Sequence, residues 1–270
     1  MLKNYLKTAI RNLRKQRTHS IINIAGLAIG MSVFILILSY VWFELSFDRY
    51  HTKTDQIYRV VQSNNLWLKE YHWAGTGNLV AEALMDEFPE ILHVSRLGLG
   101  DDIDLHYKSN TKITKTKREY LRADSSFLDI FDIPLISGDP GTALNDPNSI
   151  ILTEELVMEL YGDENPMGKI ITITEANTKQ PILENPNKDY AVTGVSKAMP
   201  ENSHFDFQFL IPYGKNWNYW YTGNVVFTYI VLPKDYPPED LEKKFPMIIR
   251  KYFGPAIEKN QGMTYDEWVK

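Results

Sequence analysis

The chain has 270 residues, 44% of them hydrophobic and 13% aromatic, enough to bury the core of one or two domains. With 23% charged residues and ordinary glycine and proline counts, the composition excludes a disordered or fibrous protein. The absence of cysteine excludes thiol catalysis, cysteine-ligated zinc and disulfide bonds. A domain of this size can still be exported, because a large core does not need disulfides.

The charges divide the chain into three parts. Residues 1–20 carry six basic residues and no acid, residues 21–43 carry no charge, and the rest holds 23 basic and 34 acidic residues. The six basic residues are Lys3, Lys7, Arg11, Arg14, Lys15 and Arg17. Because basic segments stay on the cytoplasmic side of a membrane, this order predicts a membrane protein with its N-terminus in the cytoplasm.

Residues 1–20 form the first predicted element, an amphipathic helix. Apolar side chains recur there at helical spacing, at Leu2, Tyr5, Leu6, Ala9, Ile10 and Leu13. The basic residues lie between them and would face anionic lipid headgroups on the inner membrane surface. A docking element for a cytoplasmic partner is the alternative interpretation.

Residues 21–43 (IINIAGLAIGMSVFILILSYVWF) are the predicted transmembrane helix. As a helix they would span about 35 Å, against about 30 Å of hydrocarbon. Tyr40, Trp42 and Phe43 stand at the far end, where interfacial aromatic rings are favoured. The run is longer than a signal peptide's apolar region, and no small-residue cleavage site follows it. Residues 44–270 are therefore expected in the periplasm of a bacterial inner-membrane protein.

Gly26 and Gly30 form a GxxxG pattern inside this helix, and Ala28 with Ser32 repeats the spacing of small residues. Small residues let two helix backbones approach closely, which favours helix packing in lipid. Gly26 and Gly30 are therefore candidate helix-packing residues. Many membrane spans carry such a pair by chance, so an ordinary lipid-facing helix is the alternative.

Residues 44–270 mix strand and helix patterns in irregular alternation, which predicts an α+β fold. The predicted strands are Ile57–Gln62, Ile150–Leu152, Ile170–Thr174, Tyr190–Val195, Phe205–Ile211 and Phe227–Leu232. The predicted helices are Asn78–Phe88, Ser125–Phe131, Glu154–Tyr161 and Pro238–Phe253. Asp124, Ser125, Ser126 and Thr153 are the predicted N-caps, and residues 177–189 are predicted to form an exposed loop.

Two polar clusters favour structural interpretations. Asp101, Asp102, Asp104 and His106 could bind a metal, but their spacing matches no metal loop and their alternation is typical of a solvated strand. The basic stretch of residues 108–122 alternates with Thr and Ile, which indicates a solvated hairpin rather than a nucleic-acid site. We therefore predict neither a metal nor a nucleic-acid partner.

The dense aromatic run near the C-terminus is a candidate interaction surface. It consists of Trp217, Tyr219, Trp220 and Tyr221. Aromatic groups are favoured in interfaces because they combine a large apolar area with a polar atom. Packing of the same rings into the core is the alternative.

Catalytic and nucleotide-binding motifs are absent from the sequence. It contains no GxxxxGK[ST], no HExxH and no GxSxG. We therefore predict no catalytic residue, no cofactor and no enzymatic activity.

Three stretches carry a resemblance to a known family. They are Phe43–Val61 (with FDRYH and IYRV), Asp124–Ile173 (from DSSFLDIFDIPLISGD to GKIITI) and Tyr190–Pro212 (with VTGV and PENSH). In their order and spacing the chain resembles the N-terminal part of MacB/FtsX-type ABC-transporter permeases, in the version common in Bacteroidetes-like genomes.

The resemblance implies a fold and a role. The fold is one transmembrane helix followed by a two-part mixed α/β periplasmic core domain, with an insertion between about Gly141 and Pro212. The implied role is non-enzymatic: the domain transmits the motion driven by a separate ABC ATPase, for substrates such as lipoproteins, peptides or antimicrobial compounds. A second permease copy and membrane lipids are the other implied partners.

The resemblance also sets an expectation about the end of the chain. Permeases of this family return to the membrane for at least three more spans, through which they contact the ATPase. Since no second apolar run precedes Lys270, the sequence is expected to be a fragment, a truncated reading frame or a split permease. A single-span membrane-anchored sensor or interaction domain without catalysis is the alternative function.

Overall fold

The structure, a computed structural model, describes residues 2–66, 69–108, 113–174, 187–214 and 226–268. The chain divides into two compact units, Met1–Asp48 and Arg49–Lys270.

The first unit contains two helices, α1 (Leu2–Lys15) and α2 (Arg17–Glu44), with Gln16 between them. α2 has 28 residues, none of which is buried within the protein. It is long and apolar enough to cross a membrane, in agreement with the apolar helix predicted from the sequence. α2 begins at Arg17, before the predicted span.

The second unit is built on strands that the sequence predicted only in part. They are β1 (Ile57–Val60), β2 (Gln62–Leu66), β3 (Lys69–Trp73), β4 (His93–Lys108), β5 (Ile113–Ala123), β6 (Leu135–Ser137), β7 (Ser149–Thr153), β8 (Ile170–Thr174), β9 (Asn187–Ser196), β10 (Phe209–Pro212) and β11 (Phe227–Val231). Its helices are α3 (Val80–Glu87), α4 (Phe127–Ile130), α5 (Glu154–Tyr161), α6 (Pro238–Glu242), α7 (Phe245–Ile248), α8 (Gly254–Gln261) and α9 (Tyr265–Trp268). A 3₁₀ turn covers Thr54–Gln56, and a π-helical turn covers Ile249–Phe253.

The described strands other than β2 and β3 form a nine-stranded mixed sheet. Its order is β1-β11-β4-β5-β10-β7-β9-β6, and β8 pairs with both β4 and β9. The pairs β5–β10 and β7–β9 are parallel, and the other pairs are antiparallel. β2 and β3 form a separate antiparallel hairpin. β4 and β5 pair as a long hairpin, which confirms the hairpin predicted for the basic stretch.

Helices cover both faces of the sheet. On one face, α5 covers an apolar cluster around Tyr120, Leu152 and Phe209, and α3 covers a second cluster around Val94 and Ile230. On the other face, α4 packs on a third cluster. That cluster contains Leu121, Phe127, Ile130, Ile151 and Leu210. The alternation of neighbouring residues between the two faces follows from the two-residue repeat of a strand.

Neighbouring residues determine where α5 begins and ends. Thr153 accepts a hydrogen bond from the backbone N–H of Leu156 at 3.4 Å, which confirms the predicted N-cap. Gly162 ends the helix with a φ of +59°, a conformation that favours glycine. At Gly138, with a φ of +96°, an added Cβ would lie 2.4 Å from the carbonyl oxygen of Thr193, so this turn requires glycine.

Several predictions were wrong in detail. Ser126 makes no capping bond to α4 and donates instead to the carbonyl of Val94 at 2.5 Å. The predicted strand Phe205–Ile211 begins only at Phe209, because Phe205 and Phe207 turn into the cluster under α4. The predicted helix Pro238–Phe253 is divided into α6, α7 and the π-helical turn.

Candidate functional site

The residues that begin the second unit, Arg49–Gln56, are termed the junction segment because they follow the unit that contains α1 and α2. His51 lies at its centre and is buried. The His51 ring stands 4.0 Å from the ring of Tyr50 and 5.1 Å from the ring of Phe131. Its Nδ1 accepts a hydrogen bond from the backbone N–H of Asp132 at 3.1 Å, so this nitrogen carries no proton.

Further hydrogen bonds fasten the junction segment to the residues around α4. The backbone N–H of Thr52 donates to the Asp132 carboxylate, and the Thr52 hydroxyl lies 3.3 Å from Asp132 Oδ1. Lys53 Nζ donates to the carbonyl of Asp129 at 2.5 Å. The Tyr50 and Ser203 hydroxyl oxygens are 2.9 Å apart. Successive residues of the segment are thus each held by a different contact.

A cluster of aromatic rings packs against His51 of the junction segment. Phe131 packs against Phe205 with ring centroids 4.7 Å apart, and against Tyr229 at 5.1 Å. Phe127 completes the cluster at 4.9 Å from Phe131. Most of these contacts are edge-to-face, the arrangement that the charge distribution of aromatic rings favours.

The three stretches that carry the family resemblance meet at this place. The first contributes Tyr50 and His51, the second contributes Phe131 and Asp132, and the third contributes Ser203 along with Phe205. Sequence reasoning identified the stretches but not their meeting point. The meeting point depends on contacts between residues that are about 80 and 150 positions apart, which no local pattern reveals.

The other end of the second unit is held by ionic contacts. We term Pro238–Trp268 the C-terminal helical segment. Lys251 Nζ and the Tyr252 hydroxyl both donate to the carboxylate of Glu87, the hydroxyl at 2.6 Å. Beside this pair, Lys244 Nζ donates to Glu90, which also accepts from the Tyr236 hydroxyl at 3.3 Å.

These contacts shift the pKa of each partner. The hydrogen bond from Lys251, with that from Tyr252, lowers the pKa of Glu87. The hydrogen bond from Lys244 is the main cause of the lowered pKa of Glu90. The pKa values of both lysines are raised by the same bonds. Both contacts are therefore ionised at neutral pH, and they connect the end of α3 and the residues just after it to the C-terminal helical segment.

The residues predicted to form interaction surfaces remain predictions. Gly26 and Gly30 lie on α2, none of whose residues is buried within the protein. Trp217, Tyr219, Trp220 and Tyr221 lie outside the described residues.

The candidate metal ligands Asp101, Asp102, Asp104 and His106 fall within β4, as the strand interpretation expected. The part of the chain that the structure describes contains no group of three or more His, Asp or Glu side chains placed to hold a metal ion.

Comparison with known proteins gives a family and a fold. A family model described as the MacB-like periplasmic core domain matches residues 20–246. A domain assigned to a permease protein of Porphyromonas gingivalis aligns with a TM-score of 0.60 and 21% identity, covering 75% of this chain and 83% of that one. No curated protein matches the chain.

Two further solved structures align more loosely. The periplasmic region of MacB from Actinobacillus actinomycetemcomitans has a TM-score of 0.43 and 14% identity, covering 72% of this chain and 82% of that one. The extracellular domain of the ABC-type transporter YknZ from Gram-positive bacteria has a TM-score of 0.42 and 13% identity, covering 71% of this chain and 87% of that one. The Porphyromonas domain is the one of the three whose score shows a shared fold.

Proposed function

The chain belongs to the family of MacB-like periplasmic core domains, and on this premise we propose that it transmits ATP-driven motion as the periplasmic part of an ABC-transporter permease. In this proposal α2 crosses the bacterial inner membrane with the N-terminus in the cytoplasm. The domain itself performs no catalysis. Its substrate class is a lipoprotein, a peptide or an antimicrobial compound.

The junction segment is the observation that carries this proposal. A domain that transmits motion needs a stiff connection to its membrane helix, because a flexible linker would absorb the displacement. Here the chain enters the domain through a buried histidine and hydrogen bonds to Asp129, Asp132 and Ser203. A displacement of the chain at Asp48 would therefore pass to α4 and to the sheet beneath it.

The proposed partners follow from the same assignment. A separate ABC ATPase would supply the motion through membrane spans downstream of this chain. A second permease copy would pack through Gly26 and Gly30, or through the aromatic residues of 217–221. The basic residues of α1 would hold anionic lipids.

A spin-label experiment tests the transmission of motion. Because the chain has no cysteine, a single label can be placed at Met158→Cys, an exposed position on α5. The permease, with its downstream spans and its cognate ATPase, is reconstituted in liposomes. The distance between labels in two permease copies is then measured with ATP and with ADP. We expect the distance distribution to change with ATP, and an unchanged distribution would refute the proposal.

Two variants test whether the junction segment carries the motion. Asp132→Ala removes the carboxylate that holds Thr52, and we expect it to reduce the ATP-dependent change. Asp129→Ala is the matched control, because Asp129 contributes its backbone carbonyl to Lys53 and keeps that group as alanine. Equal effects of the two substitutions would show that the junction contacts are not the path of transmission.

A further inference from the structure

A buried polar strip separates the two apolar clusters under α3 and α5. Arg96 on β4 and Arg122 on β5 lie in this strip, together with Tyr213 directly after β10. At its edge, the hydroxyls of Thr76 and Thr228 are 2.7 Å apart. The strip therefore lies at the boundary between two parts of the core, a common place for ligand sites.

Each nitrogen of the Arg96 guanidinium has an acceptor. Its Nε and Nη2 donate to the two carboxylate oxygens of Asp124 at 2.9 and 2.8 Å. Its Nη1 reaches the carbonyl of Asn78 at 3.3 Å and the carboxylate of Glu82 at 3.5 Å. Burial lowers the pKa of Arg96, but the hydrogen bond and charge of Asp124 outweigh that effect and raise it. This guanidinium has no need of a ligand.

Arg122 is equally buried but lacks such a match. Only 6% of the residue is exposed, and its Nε makes no hydrogen bond to any residue that the structure describes. The carboxylates of Asp124 and Glu82 both bind Arg96. A buried guanidinium with an unused donor is costly, so its retention calls for an explanation.

The surroundings of Arg122 hold its guanidinium in place. The Arg122 Cζ lies 5.3 Å from the centroid of the Tyr213 ring, while Arg96 Cζ lies 4.7 Å from the same centroid. Gly98 pairs with Arg122 across the sheet, and an added Cβ there would lie 3.3 Å from Arg122 Nη2. The ring and the missing side chain thus let the guanidinium lie close to the sheet in one orientation.

We propose that Arg122 is the binding residue of a site for a small oxyanion, either a carboxylate or a phosphate. The planar guanidinium donates two parallel N–H groups that fit a pair of oxygens, and a desolvated cation holds an anion more strongly than an exposed one. Asp124 binds Arg96 with both carboxylate oxygens, so an anion at Arg122 would balance the second cation. This site goes beyond the transmission of motion, and its failure would leave that function standing.

Anion titrations test the site. The unfolding midpoint of the full chain in detergent is measured in sodium phosphate, in sodium acetate and in sodium chloride at the same ionic strength. We expect a saturable rise in phosphate or acetate over chloride, and the salt with the stronger response identifies the chemistry. Equal responses in the three salts would reflect charge screening alone and would overturn the proposal.

Variants connect the response to Arg122. Arg122→Gln should weaken the apparent affinity for the responding anion about tenfold or more, because it removes the charged donors. Arg59→Gln is the matched control, since Arg59 also lies on a strand over an aromatic ring, 5.9 Å from the centroid of Phe227, but is exposed. A response that survives in Arg122→Gln overturns the proposal. If that variant does not fold, Arg122→Lys, which keeps the charge without the planar donors, serves instead and should respond more weakly than the wild type.

Discussion

Asp124 accepts hydrogen bonds from both the side chain and the backbone of one arginine, Arg96 on β4. It accepts the side chain of Arg96 at 2.9 and 2.8 Å, and its Oδ2 also accepts the Arg96 backbone N–H at 2.8 Å. The Arg96 side chain is 11% exposed and that of Asp124 is 24% exposed, so water screens the pair weakly. Asp124→Ala would leave a buried cation without its main acceptor, and we expect a loss of about 2–4 kcal/mol in the free energy of unfolding.

Urea unfolding measures this loss, with Asp129→Ala as control. Asp129 is exposed on α4, and surface substitutions of this kind change stability by about 0.5 kcal/mol or less. Equal losses in the two variants would show that the pair with Arg96 contributes no more than an ordinary surface carboxylate.

Single residues were predictable from the sequence where the cause is local. Thr153 was recognised as an N-cap because its bond reaches only to Leu156, three positions on. Asp124 was predicted as a cap and instead binds Arg96, 28 positions back. The burial of His51 depends on Phe131 and Phe205. The unused Nε donor of Arg122 could not be predicted, because Asp124 binds Arg96 instead. Such contacts follow from tertiary structure, which local patterns do not contain.

The contact between α3 and the C-terminal helical segment is a property of elements. After α7 in the chain, a π-helical turn covers Ile249–Phe253, and such turns interrupt the regular hydrogen bonding of an α-helix. Lys251 holds the segment through Glu87 at the end of α3, and Lys244 holds it through Glu90, which follows α3. We expect Glu87→Lys to place like charges opposite each other and to speed amide hydrogen exchange in residues 245–253.

Adding Lys251→Glu to Glu87→Lys restores the opposite charges in reversed order. We expect this double variant to recover much of the exchange protection in residues 245–253, because the pair re-forms. Lys251→Glu alone should loosen the segment as Glu87→Lys does. Additive loosening in the double variant would show that the two charges do not interact.

The pH dependence of this contact follows from the direction of the pKa shifts. The pKa values of Glu87 and Glu90 are lowered, so their stabilising effect is present above the ordinary carboxyl pKa and is lost as pH falls through the lowered values. The pKa values of Lys244 and Lys251 are raised, so at alkaline pH the contacts lose their stabilising effect only above the ordinary lysine pKa.

We therefore expect the docking of the C-terminal helical segment to be constant between about pH 5 and pH 9 and to weaken below about pH 4. Hydrogen exchange in residues 245–253, corrected for the intrinsic pH dependence of exchange, measures this. α5 is the internal control, because its protection rests on buried apolar residues such as Leu156 and Leu160. Weakening that begins near neutral pH would contradict the assignment to these glutamates.

Among the elements, those with a clear repeat of apolar residues and a local signal for where they begin or end were predicted best. The helix Glu154–Tyr161 and the strand Ile170–Thr174 have the predicted bounds, because capping and alternation define both. β3 and the first part of β4 were not predicted, since polar residues interrupt their strand patterns. The long C-terminal helix was predicted as one element although Pro246, which lacks a backbone N–H, favours the start of a new helix and stands in the first turn of α7.

At the scale of the whole molecule, the fold class was predictable and the strand order was not. The irregular mixture of patterns predicted α+β, and the resemblance predicted the family that the match over residues 20–246 confirms. The pairing of β1 with β11, which joins Ile57 to Val231, could not be derived, because neither strand specifies a partner so far along the chain. The two-part division of the domain and its boundary remain predictions.

The orientation of the chain in the membrane is a second property of the whole. The six basic residues before the apolar run of α2 should hold the N-terminus inside. A reporter fused after Lys270 is expected to be active only on the periplasmic side, and cytoplasmic activity would contradict the assignment. Replacing the six basic residues with neutral ones should invert or mix the orientation, whereas neutral substitutions at six basic residues of the periplasmic domain should not.

Coupling to an ATPase is the part of the proposed function that depends most on membrane-spanning elements. Among the described residues, α2 is the one helix long and apolar enough to cross a membrane. A single helix cannot supply a packed element with two arrangements that both the ATPase and the periplasmic domain bias, and coupling requires such an element. The 270-residue chain, expressed alone with the cognate ATPase, should therefore insert into the membrane and leave ATP turnover unchanged.

The matched comparison adds the downstream membrane spans to the same chain, and we expect ATPase binding to appear with them. Co-purification distinguishes the two interpretations of α1. If the ATPase co-purifies with the 270-residue chain and is lost when residues 1–20 are removed, α1 is a docking element and its proposed role at the lipid surface is wrong. If the ATPase binds only when further membrane spans are present, α1 is not its docking element, and contact with lipid headgroups stays the prediction for its basic residues.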